Sequence, residues 1–353
     1  MTDPARIRVA VGRDGDWDAH FVDGLDRLAA GGAPVEHALV DMLSADWIDR
    51  VEPFDVVLWN PRWMTPASTS YLKEKVWFLE HHLGKIVVPS FASVWHYESK
   101  VAQSYLFRAL DVPTPHTVAT FSAEDAEARL DAETYPLVFK ESAGAGSARV
   151  TLARDRREAQ AKVEVALAQS YWDRFRAGDP SPWARTVSVL GKRWFWAKTR
   201  DRLLGRMRTH PAYWQEFIRA DGDLRITTMG PRFAQWFFRH NRPDDFRASG
   251  AGLVYFDPPP EEVVRYCLEL NGRAGIDSAG YDVMFRPDGS FVITEVTYTY
   301  PAHYNERAPG HYRLEPDSEL RYVEGRRWPQ ELLAEWAVER AATRTSAGET
   351  LGG

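Results

Sequence analysis

The chain has 353 residues, a formal net charge of −6 and 44% hydrophobic residues, which is typical of a folded protein with two or three lobes. The mild acidity gives no electrostatic footprint for a nucleic acid, so we expect no such partner. The single cysteine, Cys267, excludes an intrachain disulfide and a cysteine-cluster metal site. No stretch approaches ~20 apolar residues and the N-terminus does not have the pattern of a signal peptide, so we expect a cytoplasmic protein with no membrane partner.

The first ninety residues alternate between strand and helix patterns. Strands are predicted at residues 6–11, 54–59 and 85–88, with helices over 21–30 and 70–82. This alternation predicts a small open parallel sheet. No GxGxxG motif follows the first strand, so a dinucleotide fingerprint is absent.

The rest of the chain carries a mixed pattern, in which helices are predicted at 98–110 and 156–176 and a polar helix from Glu331 that frays after Ala342. A tryptophan-rich stretch, broken by two prolines, follows the second helix. Strands are predicted at residues 135–140, 149–152, 214–218, 224–229, 233–239, 280–286 and 290–298.

Two carboxylates stand in the last pair of strands, on either side of an Asp288-Gly289 turn signal. If those two residues form a two-residue turn, Asp282 faces Glu295 directly, with Cβ atoms ~5 Å apart. Facing carboxylates repel unless a cation lies between them, and hard oxygen ligands suit Mg²⁺. A three-residue turn would move them to opposite faces. The alternative is a surface hairpin with two solvated acids.

A glycine-rich loop, Ala143-Gly-Ala-Gly-Ser147, separates two strands. Two residues lie between Lys140, at the end of the first strand, and this loop. Small residues let backbone N–H groups close over phosphate oxygens, and a lysine at the strand end suits the same phosphates. The loop lacks the GxxxxGK[ST] pattern of a P-loop. The alternatives are a plain hairpin tip and a solvated strand-end lysine.

The region between residues 224 and 252 contains the basic residues Arg225, Arg239 and Arg247. Such side chains can bind a triphosphate or a substrate carboxylate through two hydrogen bonds each. The alternative is a solvated basic rim.

The order of these elements resembles the ATP-grasp superfamily, in its branch of glutathione synthetase and ribosomal-protein glutamate ligase types. The resemblance covers about residues 85 to 300. It is carried by an ordered set of segments: Ser99-Lys100, 110–115, 135–140 with the glycine loop, Gln215-Glu-Phe-Ile218, Gly222-Asp-Leu-Arg225, Arg239, Asp245-Phe-Arg247, Gly250-Ala-Gly252, Asp282 and Glu295.

The resemblance implies an α/β chain with α+β lobes: an N-terminal Rossmann-like domain, followed by two α+β subdomains with a nucleotide cleft between them. We expect four parts, at residues 1–90, 91–213, 214–310 and 311–353. They are the N-terminal domain, a small lobe with flap and tryptophan-rich insert, a lobe with the metal site, and a helical tail.

The resemblance also implies an ADP-forming carboxylate–amine ligase that works through an acyl-phosphate, with ATP and Mg²⁺ (or Mn²⁺) as cofactors. Small-molecule carboxylate and amine substrates are expected, and a homodimer is possible. Alternatives are a ligase that modifies a peptide or protein, and a silent ATP-binding regulatory protein. The implied catalytic residues are Arg239 and Arg225, and the implied metal ligands are Asp282, Glu295 and Thr297. The implied ATP contacts are Lys100, Lys140, Gly144, Gly146, Ser147, Gln215, Glu216, Phe217, Ile218 and Asp223. Asp221 is the second choice for the ribose contact.

Three features depart from the family pattern, and one of them is that the usual Asn of an Arg–Asn–Gly–Gly stretch is replaced around Ala248-Ser249. Thr297 stands where the family usually has Asn, although the run from Glu295 to Pro301 is similar to the ending of a polysaccharide-linked amide-ligase branch. The span from Val150 to Gln215 is about 40 residues longer than this architecture needs, judged by ordinary loop lengths. The extra part predicts a substrate-side lid or an interface, or else an added helical pair whose tryptophans fill a core.

Overall fold

The computed structural model describes residues 6–13, 17–61, 66–142, 150–168, 211–248 and 252–346. The chain divides into two units. Unit 1 comprises Met1–Glu98, Leu106–Pro113 and Arg219–Gly353, and unit 2 comprises Ser99–Tyr105 and Thr114–Ile218. The four-part division expected from the sequence stays a prediction.

Unit 1 begins with a four-stranded parallel sheet of order β2-β1-β3-β4, which confirms the sheet predicted from the strand–helix alternation. The edge strand β2 was not predicted, because its middle residues are largely exposed and give no buried run. The elements are β1 (Ile7–Gly12), α1 (Asp18–Ala30), β2 (Val35–Val40), α2 (Trp47–Val51), β3 (Val56–Leu58), α3 (Pro66–His81), β4 (Ile86–Val88) and α4 (Phe91–Val94).

Unit 2 contains an antiparallel sheet of order β5-β8-β6-β7. Its core packs Trp214 against Phe139, with ring centroids 5.6 Å apart, and helices cover the apolar face. The elements are α5 (Lys100–Ala109, whose last residues fall in unit 1), β5 (Thr117–Thr120), α6 (Ala123–Leu130), β6 (Leu137–Lys140), β7 (Val150–Ala153), α7 (Arg156–Ala168) and β8 (Ala212–Glu216). The tryptophan-rich stretch and the end of the predicted 156–176 helix lie outside the described residues.

Unit 1 continues with a large antiparallel sheet of order β13-β12-β9-β10-β14-β15, to which β11 adds beside β10. One face is apolar and packs on α8, where Leu224, Trp236 and Tyr281 meet Val264 and Leu268. The opposite face therefore carries the alternate residues of each strand. The elements are β9 (Gly222–Met229), β10 (Phe233–His240), β11 (Val254–Tyr255), α8 (Glu261–Ala274), β12 (Ser278–Phe285), β13 (Phe291–Thr297), α9 (Ala302–Asn305), β14 (Gly310–Leu314) and β15 (Leu320–Glu324).

The last helix, α10 (Pro329–Ser346), packs on the first sheet of unit 1. Leu332, Leu333 and Val338 join the core formed by Val9 and Val11. The expected fraying after Ala342 does not occur, since the helix continues to Ser346. No helix in the described ranges is long and apolar enough to cross a membrane.

Candidate functional site

The hairpin β12–β13 places Asp282 opposite Glu295, as predicted, but by another route. The predicted two-residue turn is wrong: the N–H of Arg286 donates to the carbonyl of Ser290, so three residues form the loop. Such a loop shifts the register by one, and Phe285 accordingly pairs with Phe291. A bulge at Thr294 adds one residue to β13 and restores the facing pair.

The polar face of the large sheet gathers the predicted residues of unit 1 into two rows. Strand pairing sets Glu295, Asp282 and Arg225 side by side across β13, β12 and β9. In the neighbouring row, Asp223 of β9 pairs with Arg239 of β10. All five side chains stand on the face opposite α8, because their strand neighbours fill the apolar core.

Four of these groups form a chain of ion pairs, which we call the Arg–Asp network (Asp223, Arg225, Arg239 and Asp282). Arg239 donates from Nε and Nη2 to the two oxygens of Asp223, each at 2.6 Å. Its Nη2 also lies 2.8 Å from Oδ1 of Asp282. Arg225 donates from Nε to the same Oδ1 at 2.5 Å. Neither contact uses Oδ2 of Asp282.

The network is nearly buried, and its four side chains are between 9% and 14% exposed. Burial by itself raises the pKa of Asp282, but the positive charges of Arg225 and Arg239 outweigh this and lower it to about 2. Burial likewise opposes the charge on Arg239, and the two aspartates outweigh it and raise the pKa of that guanidinium. Burial raises the pKa of Asp223, although the neighbouring Arg239 opposes the shift.

Gly280 is a site residue that the sequence reasoning missed. A Cβ there would lie 2.8 Å from Nη1 and 3.3 Å from Cδ of Arg225, so the missing side chain makes room for the arginine to lie over β12. Gly280 is two residues before Asp282 and shares its face. Strand alternation is the signal that identifies it, once Asp282 is singled out.

Both carboxylate oxygens of Asp223 accept hydrogen bonds from Arg239, so a ribose hydroxyl would have to compete with this arginine for them. Asp221, the second choice, is exposed at the start of β9. The carboxylate of Asp221 is therefore the more accessible of the two acids, while Asp223 positions Arg239. The ribose role of either residue stays a prediction.

The predicted metal ligands lie on adjacent strands. Among the residues that the structure describes, no group of three or more His, Cys, Asp or Glu is arranged to hold a metal ion. Two facing carboxylates and a nearby hydroxyl are present instead. Thr297 pairs with Gly280, and its Oγ1 accepts the N–H of Thr299 at 3.2 Å.

Unit 2 carries the predicted phosphate-binding lysines. Lys100 opens α5, is buried, and donates its backbone N–H to the carbonyl of Ser142 at 3.0 Å. That bond fixes the start of the helix beside the end of β6, where Lys140 pairs with Val150. Gly144, Gly146 and Ser147 of the glycine loop lie outside the described residues, so the phosphate-binding role of that loop stays a prediction.

The predicted adenine segment, Gln215 to Ile218, spans the end of β8. Gln215 is buried and donates from Nε2 to Thr117 and Tyr213, each at 3.1 Å. The backbone N–H of Glu216 donates to the carbonyl of His116 at 2.9 Å. The Glu216 N–H is therefore engaged within unit 2, and the adenine contact of this segment stays a prediction.

The tyrosines that follow β13 are buried. Tyr298 is fully buried, donates its hydroxyl to the carbonyl of Pro61 at 3.0 Å and packs on Tyr97. Burial raises the pKa of the Tyr300 hydroxyl, which lies 3.3 Å from Oγ of Ser278. Arg247, by contrast, is half-exposed in a loop, where Asp245 accepts from it.

Comparisons by sequence find no matching family profile and no matching curated protein. Comparison of structures does find matches. D-cycloserine synthetase DcsG is 15% identical, with 95% of this chain and 99% of that chain covered and a TM-score of 0.54. D-alanine–D-alanine ligase from Bacillus anthracis, complexed with ATP, is 13% identical, with 98% and 100% covered and a TM-score of 0.54. The ATP-grasp ligase PsnB, complexed with a minimal precursor, is 15% identical, with 96% and 99% covered and a TM-score of 0.53.

These matches extend over nearly the whole of each chain, and they comprise a synthetase, a ligase complexed with ATP and an ATP-grasp ligase. At such low identity they define the architecture. The chain has the ATP-grasp fold, which confirms the fold expected from the order of its sequence motifs.

Proposed function

We propose that this chain is an ATP-dependent, ADP-forming carboxylate–amine ligase that acts on an amino acid or a peptide-like small metabolite through an acyl-phosphate. The observation that carries the proposal is the polar face of the large sheet, where Asp282 faces Glu295 and two nearly buried arginines adjoin Asp282. The named neighbours support it, since they are a D-cycloserine synthetase, a D-alanine–D-alanine ligase and an ATP-grasp ligase complexed with a precursor.

The site residues fit a magnesium ion. Their donors are hard oxygens, namely the carboxylates of Asp282 and Glu295, with the hydroxyl of Thr297 one row away. A cation of this kind takes its other ligands from phosphate oxygens and water. When bound, it would neutralise charge on the transferring phosphate. Mn²⁺ satisfies the same donors.

The arginines supply the remaining chemistry of the proposed reaction. Phosphoryl transfer from ATP to a carboxylate needs positioning and charge neutralisation and no protein nucleophile. Asp223 and Asp282 orient the guanidinium of Arg239, so its donors are held in place before charge develops. In this proposal Arg239 stabilises the transferring phosphoryl group and the acyl-phosphate, which the amine substrate then attacks. Lys100 and Lys140 contact the ATP phosphates.

The test is ADP release with a panel of carboxylates and amines. We expect Asp282→Asn and Glu295→Gln to lower turnover by about a hundredfold or more, because metal-assisted charge neutralisation is worth several kcal/mol. Asp288→Asn, at the exposed tip of the same hairpin, is the matched control and should retain turnover. Undiminished turnover in both metal-ligand variants would remove the metal assignment.

A peptide or protein substrate is the second candidate, favoured by the neighbour PsnB, whose structure contains a precursor. Deleting about residues 178–206, if the fold survives, should then abolish peptide binding and spare nucleotide binding. Tight ATP binding without ADP formation across the panel would instead indicate a silent regulatory protein. The cytoplasmic location, the homodimer and the absence of a nucleic-acid partner stay predictions.

A further inference from the structure

One oxygen of the proposed metal site is shared by two arginines. Oδ1 of Asp282 lies 2.5 Å from Nε of Arg225 and 2.8 Å from Nη2 of Arg239. A carboxylate that ligates a dication would then have four formal positive charges around it. Like charges at such separations repel strongly where burial excludes water. Binding of a metal ion at Asp282 therefore weakens its hold on an arginine.

The two arginines are held unequally. Arg239 retains two hydrogen bonds of 2.6 Å to Asp223, whatever happens at Asp282. Arg225, among the residues that the structure describes, forms an ion pair with Asp282 alone. Arg225 is therefore the side chain that a metal ion would release. Its guanidinium lies over Gly280, which has no side chain to hold it in place.

A released arginine cannot stay buried without a counter-ion. An unpaired buried guanidinium costs several kcal/mol, so it takes the nearest available anion. In the proposed reaction, the carboxylate substrate is the second anion that must reach this face. A planar guanidinium binds a carboxylate through two parallel hydrogen bonds, which would also orient it for phosphoryl transfer.

We propose that Asp282 holds Arg225 in reserve, that metal and nucleotide binding releases it, and that the freed guanidinium then binds the carboxylate of the substrate. This inference rests on the proposed function and deepens it. It assigns Arg225 to the carboxylate substrate and makes the nucleotide–metal complex the first ligand to bind. The nucleotide–metal complex and the carboxylate substrate should therefore each raise the affinity of the other. The first frees Arg225 from Asp282, and the second supplies the anion that the freed guanidinium needs.

The test measures the chemical reactivity of the two arginines in the unmodified full-length protein. Phenylglyoxal modifies accessible guanidinium groups, and mass spectrometry of the peptides reports each arginine separately. The probes are Mn²⁺ and the non-hydrolysable β,γ-imido analogue of ATP. We expect both probes together to raise the modification rate of Arg225 severalfold, whereas the analogue with a chelator leaves it unchanged. Arg239 should react at the same rate in both conditions.

The outcomes separate this inference from the proposed function. If the analogue and Mn²⁺ bind and the reactivity of Arg225 does not rise, the reserve mechanism is overturned while the ligase proposal stands. If neither probe binds, both are overturned. In Glu295→Gln, which removes the facing carboxylate, the Mn²⁺-dependent rise should disappear.

A second measurement tests the sign of the competition. Arg225→Gln removes the group that occupies Asp282, so Mn²⁺ in the presence of the analogue should bind about tenfold more tightly, the equivalent of ~1.4 kcal/mol. Arg232→Gln, which loses a partner on α10 (Glu339), is the matched control and should leave the Mn²⁺ affinity unchanged. Weaker Mn²⁺ binding in Arg225→Gln would show that the arginine supports the metal and would overturn the inference.

Discussion

Asp282→Asn tests the energetics of the Arg–Asp network, because it removes one charge and preserves the shape of the side chain. The variant leaves Arg225 without its ion-pair partner in a buried setting, where its side chain is 9% exposed. Breaking one side of such a pair costs about 3–5 kcal/mol. We therefore expect the free energy of unfolding at neutral pH to fall by about that amount.

The same variant should change how stability depends on pH. Asp282 has a pKa of about 2 in the folded protein against an ordinary 3.8, so its ionisation contributes about 2 kcal/mol to stability. Because folding lowers this pKa, the contribution is fully present above the ordinary value. It is lost as the pH falls from 3.8 towards 2, and about half of it is lost by about pH 3.

Urea unfolding, followed by tryptophan fluorescence between about pH 6 and pH 3, measures both effects. The stability gap between the wild-type protein and Asp282→Asn should narrow by about 1 kcal/mol at the acid end of that range. Asp221→Asn, an exposed acid at the start of β9, should follow the wild-type curve. A gap that stays constant with pH would refute the assignment of the lowered pKa to Asp282.

Two further predictions concern the packing of α10. Gly230→Ala places a Cβ 2.4 Å from the ring of Trp336 at a φ of +60°, so thermal unfolding should show a loss of about 1–3 kcal/mol. The control is Gly32→Ala, where φ is +91° and no atom lies within 4 Å of the new Cβ. This variant has only the backbone cost and should lose clearly less stability than Gly230→Ala. Glu331→Gln weakens the hydrogen bonds that Arg27 and Arg327 donate to this side chain. Urea unfolding should therefore show a free energy of unfolding that is lower by about 1–3 kcal/mol. An unchanged free energy would show that these ion pairs contribute little.

The hairpin of the proposed metal site shows what local sequence can and cannot predict. Alternation of apolar residues identified both strands, and the Asp-Gly signal located the turn within a residue. The loop length and the bulge at Thr294 were not predictable, because a contact outside the hairpin bears on them. The N–H of Ile293, beside the bulge, donates to the carbonyl of Pro113 at 2.8 Å. Two departures from the predicted hairpin thus offset each other and retain the facing carboxylates.

The position of the last helix was predicted correctly, but its burial was not. Its charged residues suggested a polar tail, whereas Leu332, Leu333 and Val338 enter the core of the first sheet. Those partners precede it by more than 240 residues in the chain, and a pattern within one helix cannot identify a distant surface. The edge strand β2 escaped prediction for the complementary reason, since an edge exposes much of its side-chain pattern to solvent.

The Arg–Asp network shows the same limit of sequence-based prediction at the candidate site. Alternation along β9, β10 and β12 places its four members on one face, and the sequence alone supports that step. The choice of partners needs the register of three strands, and it also needs Gly280. A side chain there would meet Nη1 of Arg225 at 2.8 Å and push the guanidinium off Asp282. A sequence search for charged residues passes over a glycine, although this one leaves the space in which Arg225 reaches Asp282.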